Sequence, residues 1–104
     1  MKRKSKFPDV LKRVRDCVDS GRYFDTTHAK LRKIQRNISL PHVLYVLKNG
    51  FHEKRKDEYK LEYNDWTYAI RAQTIDGKDL RIAIAFDDND MLIITVVDVT
   101  RGTK

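Results

Sequence analysis

Four residues in the second half of the chain have side chains that can transfer a proton or bind an oxyanion: Lys60, Tyr68, Arg71 and Arg81. Cleavage of RNA without a metal needs a base for the 2′-hydroxyl, cations for the pentavalent phosphate and an acid for the leaving oxygen. Lysine, arginine, tyrosine and histidine side chains can share these roles. The residue types therefore permit this chemistry, provided that the fold brings the side chains together.

Arg71 and Arg81 flank Asp76-Gly77, the strongest hairpin signal in the chain, at similar distances from the turn. Adjacent strands would then place both guanidinium groups on one face of a sheet. Two neighbouring arginines are costly unless an anion joins them. That anion is either a protein carboxylate, from Asp79 or Asp87, or a bound phosphate.

A second group of basic residues is suited to holding phosphates without reacting with them. The residues that we interpret as RNA-binding are His28, Arg32, Arg36, Lys54, Arg55 and Lys56. At helical spacing the first three stand on one face of a helix. Two alternatives remain open: His28 bonds the first helical turn or a sheet carbonyl, and Arg32 and Arg36 pair with Asp25 or Glu62.

The chain carries no pattern typical of a metal or cofactor site. The spacing of His28, His42 and His52 is not that of zinc ligands. Cys17 is the only cysteine, so an intrachain disulfide and a cysteine-rich zinc site are both excluded. A Gly-rich phosphate loop, a Gly-x-Ser-x-Gly elbow and a dinucleotide fingerprint are missing from the sequence. We expect neither a metal nor a cofactor.

Three helices are predicted in the first half of the chain, each between residues that favour helix ends. They run from Pro8-Asp9 to Gly21, from Thr26 or Thr27 to about Arg36, and from Ser39 to Asn49-Gly50. The segment Tyr23-Phe24 between the first two helices is predicted to be a short extended link.

After Gly50 the hydrophobic pattern alternates, which predicts strands. The predicted strands are a ragged edge strand within 51–63 and three longer strands over 66–75, 80–87 and 91–99. The sequence therefore predicts an α+β fold in which three N-terminal helices pack on a C-terminal antiparallel β-meander. We interpret 1–104 as one domain, with a basic flexible N-terminus (1–8), a helical layer (9–50), the sheet (51–99) and a tail (100–104).

The alternation also assigns side chains to faces of the sheet. Tyr68 shares a face with Ile70, whereas Arg71 lies on the other face of the same strand. On the next strand, Ala83 and Ala85 follow Arg81. This arginine-bearing face is therefore either a shallow cationic concavity or a surface that accommodates helices.

The positive charge is concentrated in one half of the chain. Residues 1–60 contain 17 Lys and Arg against seven Asp and Glu, whereas residues 61–104 contain five against eight. This asymmetry favours a polyanionic partner, nucleic acid before a membrane surface, over a solvated surface with many lysines. The basic start lacks the apolar run of a signal peptide, and no transmembrane stretch follows, so we expect a cytoplasmic protein.

Thr26 to Ser39 resembles the pattern Thr-x-His-Ala-x-x-Arg-x-x-x-Arg-x-Ile-Ser of an uncharacterised bacterial domain family. The similarity continues through Gly50 and the hairpin to the strand Ile93–Val97. That family is similar to the RelE-like toxins of the BrnT and MqsR types. Three features match the MqsR type in residue type and spacing: the pair Tyr59-Lys60, Trp66 with Arg71, and the segment Leu80-Arg81-Ile82. Thr67 and Asp79 depart from the MqsR pattern.

This resemblance implies a RelE-like two-layer fold and a toxin of a bacterial toxin–antitoxin system that cuts mRNA without a metal. It implies that Lys60 is the base or electrostatic catalyst and that Arg71 and Arg81 hold the scissile phosphate. It also implies that Tyr68 positions the RNA or donates a proton. An acidic or DNA-binding antitoxin is the implied protein partner. The alternative is a non-catalytic RNA-binding or protein-interaction module with the same fold.

Overall fold

The computed structural model describes residues 5–101, apart from the side chains of Thr27, His28, Arg32 and Arg101. Within this range the chain forms three α-helices and one six-stranded sheet. The helices are α1 (Val10–Ser20), α2 (Thr27–Gln35) and α3 (Leu40–Asn49). The strands are β1 (Tyr23–Asp25), β2 (Phe51–His52), β3 (Glu58–Lys60), β4 (Asp65–Gln73), β5 (Asp79–Asp87) and β6 (Asp90–Asp98). Of the predicted N-terminal and tail segments, residues 1–4 and 102–104 lie outside the described residues.

Capping interactions define the helix ends where the sequence predicts them. The carboxylate of Asp9 accepts a hydrogen bond from the backbone N–H of Lys12 at 3.2 Å, and Gly21 ends α1 with a φ of 72°. At the start of α3, Ser39 and His42 form a reciprocal capping box, since each side chain bonds the other residue's backbone N–H. The three predicted helices are confirmed, with ends that differ by about one residue.

The order of helices and strands differs from the prediction at Tyr23–Asp25. This segment is strand β1, which lies between α1 and α2 in the chain and pairs in parallel with β6. The backbone N–H of Thr26 donates to the carbonyl of Ile93 at 3.1 Å beyond the last paired residue. Helices and strands are therefore interspersed, and the sheet is mostly antiparallel rather than a pure meander. A three-residue strand is too short to show alternation in the sequence, so only its pairing reveals it.

The predicted ragged edge strand within 51–63 is divided into two short strands, β2 and β3, which both pair antiparallel with β4. A 3-10 turn over Lys54–Lys56 separates them. The sheet order is β1-β6-β5-β4-β2, with β3 also on β4. Strand β6 therefore lies between β1 and β5, in agreement with its nearly continuous apolar sequence.

The two faces of the sheet have different surroundings. One face packs against the helices and forms the hydrophobic core, as the alternation of β4 and β5 predicts. The fully buried strand residues of this core are Tyr68, Ile70, Leu80, Ile82, Ile84, Met91, Ile93 and Val96, and the helices contribute Val14, Val43, Val46 and Leu47. Each such side chain contributes about 1.5–3 kcal/mol on burial. The other face carries Ala69, Arg71, Arg81 and Ala83.

Close packing at the end of α3 sets the position of β4. A Cβ atom on Gly50 would lie 2.6 Å from the carbonyl oxygens of both Arg71 and Val46. Only glycine allows this approach, because a real Cβ atom would overlap both carbonyl groups. The helix therefore turns into β2 directly against the strand that carries Arg71. None of the described helices is long and apolar enough to cross a membrane.

Candidate functional site

A row of small side chains crosses three strands on the face of the sheet opposite the core. Ala69 of β4 pairs in register with Ala83 of β5, and Ala83 pairs with Thr95 of β6. Two adjoining clefts lie over this row and share Glu58, Thr67, Ala83 and Thr95 in their lining. Among the described residues, no residue of α1, α2 or α3 lines either cleft. We call these two clefts the open groove.

Basic side chains border the open groove at both ends. Arg55, Lys56 and Arg81 line one cleft, and Lys60 lines the other. Arg55 is largely exposed, whereas Lys60 is 34% exposed and its Nζ lies 3.4 Å from Glu58 Oε1. The fold therefore places Arg81 and two of the three residues in the predicted basic run at one end of the open groove and Lys60 at the other. Lys60 pairs opposite Asp65 and Arg81 opposite Arg71, six residues further along β4. Lys54 of that run is exposed on the same turn but lines neither cleft.

The basic turn is anchored to the sheet by a buried carboxylate. Asp57, whose side chain is fully buried, accepts hydrogen bonds from the Ala69 N–H at 3.0 Å and His52 Nε2 at 2.8 Å. Lys6 Nζ lies 3.0 Å from the same carboxylate, so part of the predicted flexible N-terminus is tied to the sheet. These contacts hold the turn that carries Arg55 beside the row of small residues.

Arg71 and Arg81 are register partners on β4 and β5, as their distances from the hairpin turn predict. The carboxylate of Glu53 lies between them. Arg81 Nε donates to Glu53 Oε1 at 2.7 Å, and Arg71 Nη1 donates to Glu53 Oε2 at 3.1 Å. Arg71 also donates through Nε and Nη2 to Asp79, at 3.1 and 2.8 Å. A protein carboxylate is thus the anion that joins the two arginines.

Of the two carboxylates considered from the sequence, Asp79 contacts an arginine and Asp87 does not lie near the pair. Asp87 stands at the far end of β5, in register with Asp90. Glu53 was not considered, although the sequence contains a signal for it. If Phe51 pairs opposite Arg71, alternation places Glu53 two residues further along on the same face, and the Glu53 N–H does donate to the Ala69 carbonyl at 2.8 Å.

The arginines keep these carboxylates ionised. The hydrogen bond from Arg81 lowers the pKa of Glu53, against the opposing effect of burial, and Arg71 lowers it further. The hydrogen bond from Arg71 likewise lowers the pKa of Asp79. The pKa of Arg71 is raised, chiefly by Asp79. Glu53, Asp79 and Arg71 therefore all stay charged at neutral pH.

Tyr68 is not brought to the open groove. Its side chain is 1% exposed on the core face, and its hydroxyl accepts a hydrogen bond from the Phe7 N–H at 3.1 Å. Burial raises the pKa of Tyr68. Because side chains alternate along β4, Tyr68 and Arg71 point to opposite faces. Tyr63, which sequence reasoning missed, is 46% exposed and lines the cleft that contains Lys60.

The predicted stripe of basic residues on α2 is described only in part. The side chains of His28 and Arg32 lie outside the described residues. Arg36 donates from Nη1 to the carbonyl of Val96 at 2.5 Å, which braces α2 against β6. Asp25, considered as a partner of Arg36, instead pairs with Lys33. Arg36 thus has a packing role and does not border the open groove.

In the described part of the chain, no group of three or more His, Cys, Asp and Glu side chains is arranged to hold a metal ion. Cys17 is buried in the core, where its thiol lies 3.6 Å from the carbonyl of Asn89. The polar side chains that line the open groove carry ammonium, guanidinium, hydroxyl and carboxylate groups. Such groups bind oxyanions and transfer protons.

Comparison with known families gives one assignment. The model of a family described as "Domain of unknown function (DUF4258)" matches residues 26–98. The matched range includes α2, α3 and strands β2 to β6. It therefore contains every residue that lines the open groove. A search of curated proteins gave no match.

Proposed function

The chain belongs to the DUF4258 family, and we propose that this member is the toxin-like component of a bacterial toxin–antitoxin system, a metal-independent endoribonuclease that acts on mRNA in the cytoplasm. The observation that supports this proposal most directly is the open groove. Its floor of Ala69, Ala83 and Thr95 lets a strand of RNA approach the sheet closely, and Arg81 and Lys60 stand on either side.

The architecture is compatible with the RelE-like fold that the sequence resemblance implies. The α+β arrangement buries one face of the sheet under helices and leaves a basic groove on the other. A sheet face of this kind offers an enzyme a rigid surface on which side chains from several strands converge. We propose the finer RelE-like assignment on this basis together with the pattern Thr26 to Ser39.

In the proposed reaction, the RNA 2′-hydroxyl loses its proton and attacks the adjacent phosphorus, and the bond to the 5′-oxygen breaks. In this proposal Lys60 acts as base or electrostatic catalyst in one cleft, and Arg81 holds a phosphate of the bound RNA in the adjoining cleft. Arg71 supports Arg81 through their shared carboxylate. We propose that Tyr63, which lines the cleft with Lys60, protonates the leaving oxygen in place of the buried Tyr68. The products are a 2′,3′-cyclic phosphate and a 5′-hydroxyl.

The proposed partners follow from the same surface. RNA binds through its phosphates, and an acidic segment of an antitoxin competes for the basic border of the open groove. Arg55 and Lys56 are largely free to meet either partner, because both are exposed on the 3-10 turn.

The test is the cleavage of single-stranded RNA by the purified protein in EDTA. We expect cleavage by the wild type, and a rate lower by at least about 100-fold in Lys60→Ala or Arg81→Ala. Lys48→Ala is the matched control, because Lys48 pairs with Asp19 on the helical side and its loss changes the net charge equally. Wild-type protein that leaves RNA intact and does not slow growth when induced would overturn the nuclease proposal.

The second candidate is a non-catalytic RNA-binding module. It is favoured by the pairing of Arg81 and Arg71 with Glu53, which gives both arginines a structural role. RNA affinity that falls steeply with salt, without any cleavage, would support this candidate. Absence of both cleavage and salt-dependent RNA affinity would instead favour a protein-interaction module.

A further inference from the structure

Glu53 is a largely buried charged group on the open face of the sheet. It is 6% exposed, and its two oxygens face three arginines. Arg81 Nε and Nη2 lie 2.7 and 3.4 Å from Oε1 and Oε2, Arg71 Nη1 lies 3.1 Å from Oε2, and Arg55 Nη2 lies 3.9 Å from Oε2. In the proposed reaction this carboxylate only links Arg71 to Arg81 and does not touch the RNA.

A carboxylate and a phosphate present paired oxygens to guanidinium groups in the same way. Arginine binds either one through two parallel N–H donors. Two donors of Arg81, Nε and Nη2, point to Glu53, so one of the two edges through which its guanidinium group can bind a phosphate is already engaged. Glu53 therefore occupies one of the positions in which an anionic ligand would bind Arg81.

The surrounding charges allow Glu53 to release Arg81 without becoming unpaired. Arg71 remains neutralised by Asp79 through two hydrogen bonds, at 2.8 and 3.1 Å. Glu53 can meanwhile keep its contact with Arg71 and approach Arg55, whose side chain is 78% exposed and free to turn. In this exchange the Glu53 side chain rotates while its backbone stays bonded to β4, through the N–H that donates to the Ala69 carbonyl at 2.8 Å.

We propose that Glu53 is an internal competitor for phosphate, which must release Nε and Nη2 of Arg81 before a phosphate group can bind that edge of the guanidinium. The inference rests on the proposed function in one respect, since it takes the natural ligand of Arg81 to be the phosphate of RNA. It adds a regulatory property, namely that the affinity of the open groove is set by an exchange of anions and not by the arginines alone. Glu53 thus acts as a positioning residue for Arg81.

The experiment titrates inorganic phosphate into isotope-labelled protein at constant ionic strength and follows the resonances of Arg81 and Glu53. We expect Glu53→Gln to bind phosphate at least about tenfold more tightly than wild type, the effect of freeing about one charge-assisted hydrogen bond. Glu53→Asp keeps the charge but has a shorter side chain that cannot span both arginines. It is expected to show a smaller gain, which a change in net charge cannot explain.

The matched control is Asp16→Asn, which removes the same charge from an exposed carboxylate on α1 that does not line the open groove. Its phosphate affinity is expected to rise by less than about threefold, since an exposed charge acts through screened interactions. Adding Arg81→Gln to Glu53→Gln should abolish the gain. Equal affinity in Glu53→Gln, Asp16→Asn and wild type would overturn the proposal, because a purely structural Glu53 would change stability but not phosphate affinity.

A measurement on the wild type covers the case in which the variants do not fold. Saturating phosphate should shift the side-chain carboxyl resonance of Glu53 together with the Nε resonance of Arg81. A shift at Arg81 without one at Glu53 would overturn the proposal, as would no shift at either. This result is separate from the proposed function, whose failure appears as a lack of RNA cleavage by the wild type whatever the phosphate titration shows.

Discussion

Arg71 and Arg81 face each other across β4 and β5, and the single carboxylate of Glu53 accepts hydrogen bonds from both. Two guanidinium groups at a cross-strand pair repel each other unless an anion lies between them. Glu53, which directly follows β2, supplies that anion, and Asp79 forms a further ion pair with Arg71. The arrangement joins β2, β4 and β5 at the border of the open groove, so stability and ligand binding depend on the same group.

Replacing Glu53 is expected to destabilise the fold. Glu53→Gln should lower the free energy of unfolding by about 2 kcal/mol, because it leaves two partly buried arginines without their shared counter-ion. Urea denaturation at low salt measures the effect. Glu62→Gln should change the free energy by less than about 0.5 kcal/mol, as is usual for an exposed position. Equal stability of the two variants would show that the bridge contributes nothing.

The lowered pKa values of Glu53 and Asp79 predict that the stability of the fold decreases at acid pH. Glu53 has an ordinary pKa of 4.5 and Asp79 one of 3.8, and both are lowered in the folded protein. As the pH falls, the unfolded chain therefore binds protons before the folded protein does. The two carboxylates contribute their full stabilisation above their ordinary pKa values, and this contribution is lost as the pH falls through the lowered pKa values. Thermal unfolding between pH 6 and pH 2, about the range concerned, should show a smaller loss in Glu53→Gln than in wild type.

The two tyrosines near the sheet are expected to respond differently to loss of their hydroxyls. Tyr63→Phe should lower the rate of RNA cleavage by at least about tenfold if Tyr63 is the proton donor. Tyr68→Phe should mainly lower stability, by about 1 kcal/mol, since its hydroxyl accepts a hydrogen bond from Phe7. Cleavage rates and urea denaturation of both variants separate the effects. A larger loss of activity in Tyr68→Phe would contradict the assignment.

Filling the floor of the open groove should block ligands without unfolding the protein. Ala83→Leu adds a larger side chain in the middle of the row of small residues, so we expect RNA affinity to fall by about tenfold or more through steric exclusion. The expected change in the free energy of unfolding is below about 1 kcal/mol, because the side chain points away from the core. The control is Gln73→Leu, at the exposed end of β4. Unchanged RNA affinity in Ala83→Leu would exclude the groove as the binding site.

The close approach at Gly50 predicts a large effect from a single methyl group. Gly50→Ala would place a Cβ atom 2.6 Å from the carbonyl oxygens of Arg71 and Val46. We expect a loss of about 2 kcal/mol, within the range measured for overpacked sites. Asn49→Ala, at the neighbouring exposed position, is the control in urea denaturation. Stability equal to that of the control would mean that the helix end shifts freely against β4.

Local signals in the sequence were sufficient for the helices and for the faces of the long strands. Asp9, Gly21 and Ser39 act within a few residues of the helix ends that they define. Alternation alone places Arg81 and Ala83 on one face of β5, and the structure confirms it. Strand β1 was missed because three residues carry no periodic signal and its partner, β6, lies far along the chain.

The residue types of the candidate site could be predicted from the sequence, but the residues that they contact could not. The hairpin turn made Arg71 and Arg81 neighbours, since the count from a tight turn determines which residues pair. Tyr68 does not share their face of the sheet, because the alternation along β4 puts it on the core face. Lys60 and Arg81 do border the same groove, an outcome that depends on how β3 pairs with β4.

The sequence by itself determined a basic α+β protein with three capped helices and an arginine pair beside a hairpin, because these properties depend on composition and on residues close together in the chain. Only the tertiary structure decided which carboxylate joins the arginines. Glu53 is 18 residues from Arg71 and 28 from Arg81, and its position depends on the pairing of a two-residue strand with β4. Pairing over such distances is selected by the packing of the whole sheet, so no local pattern encodes it.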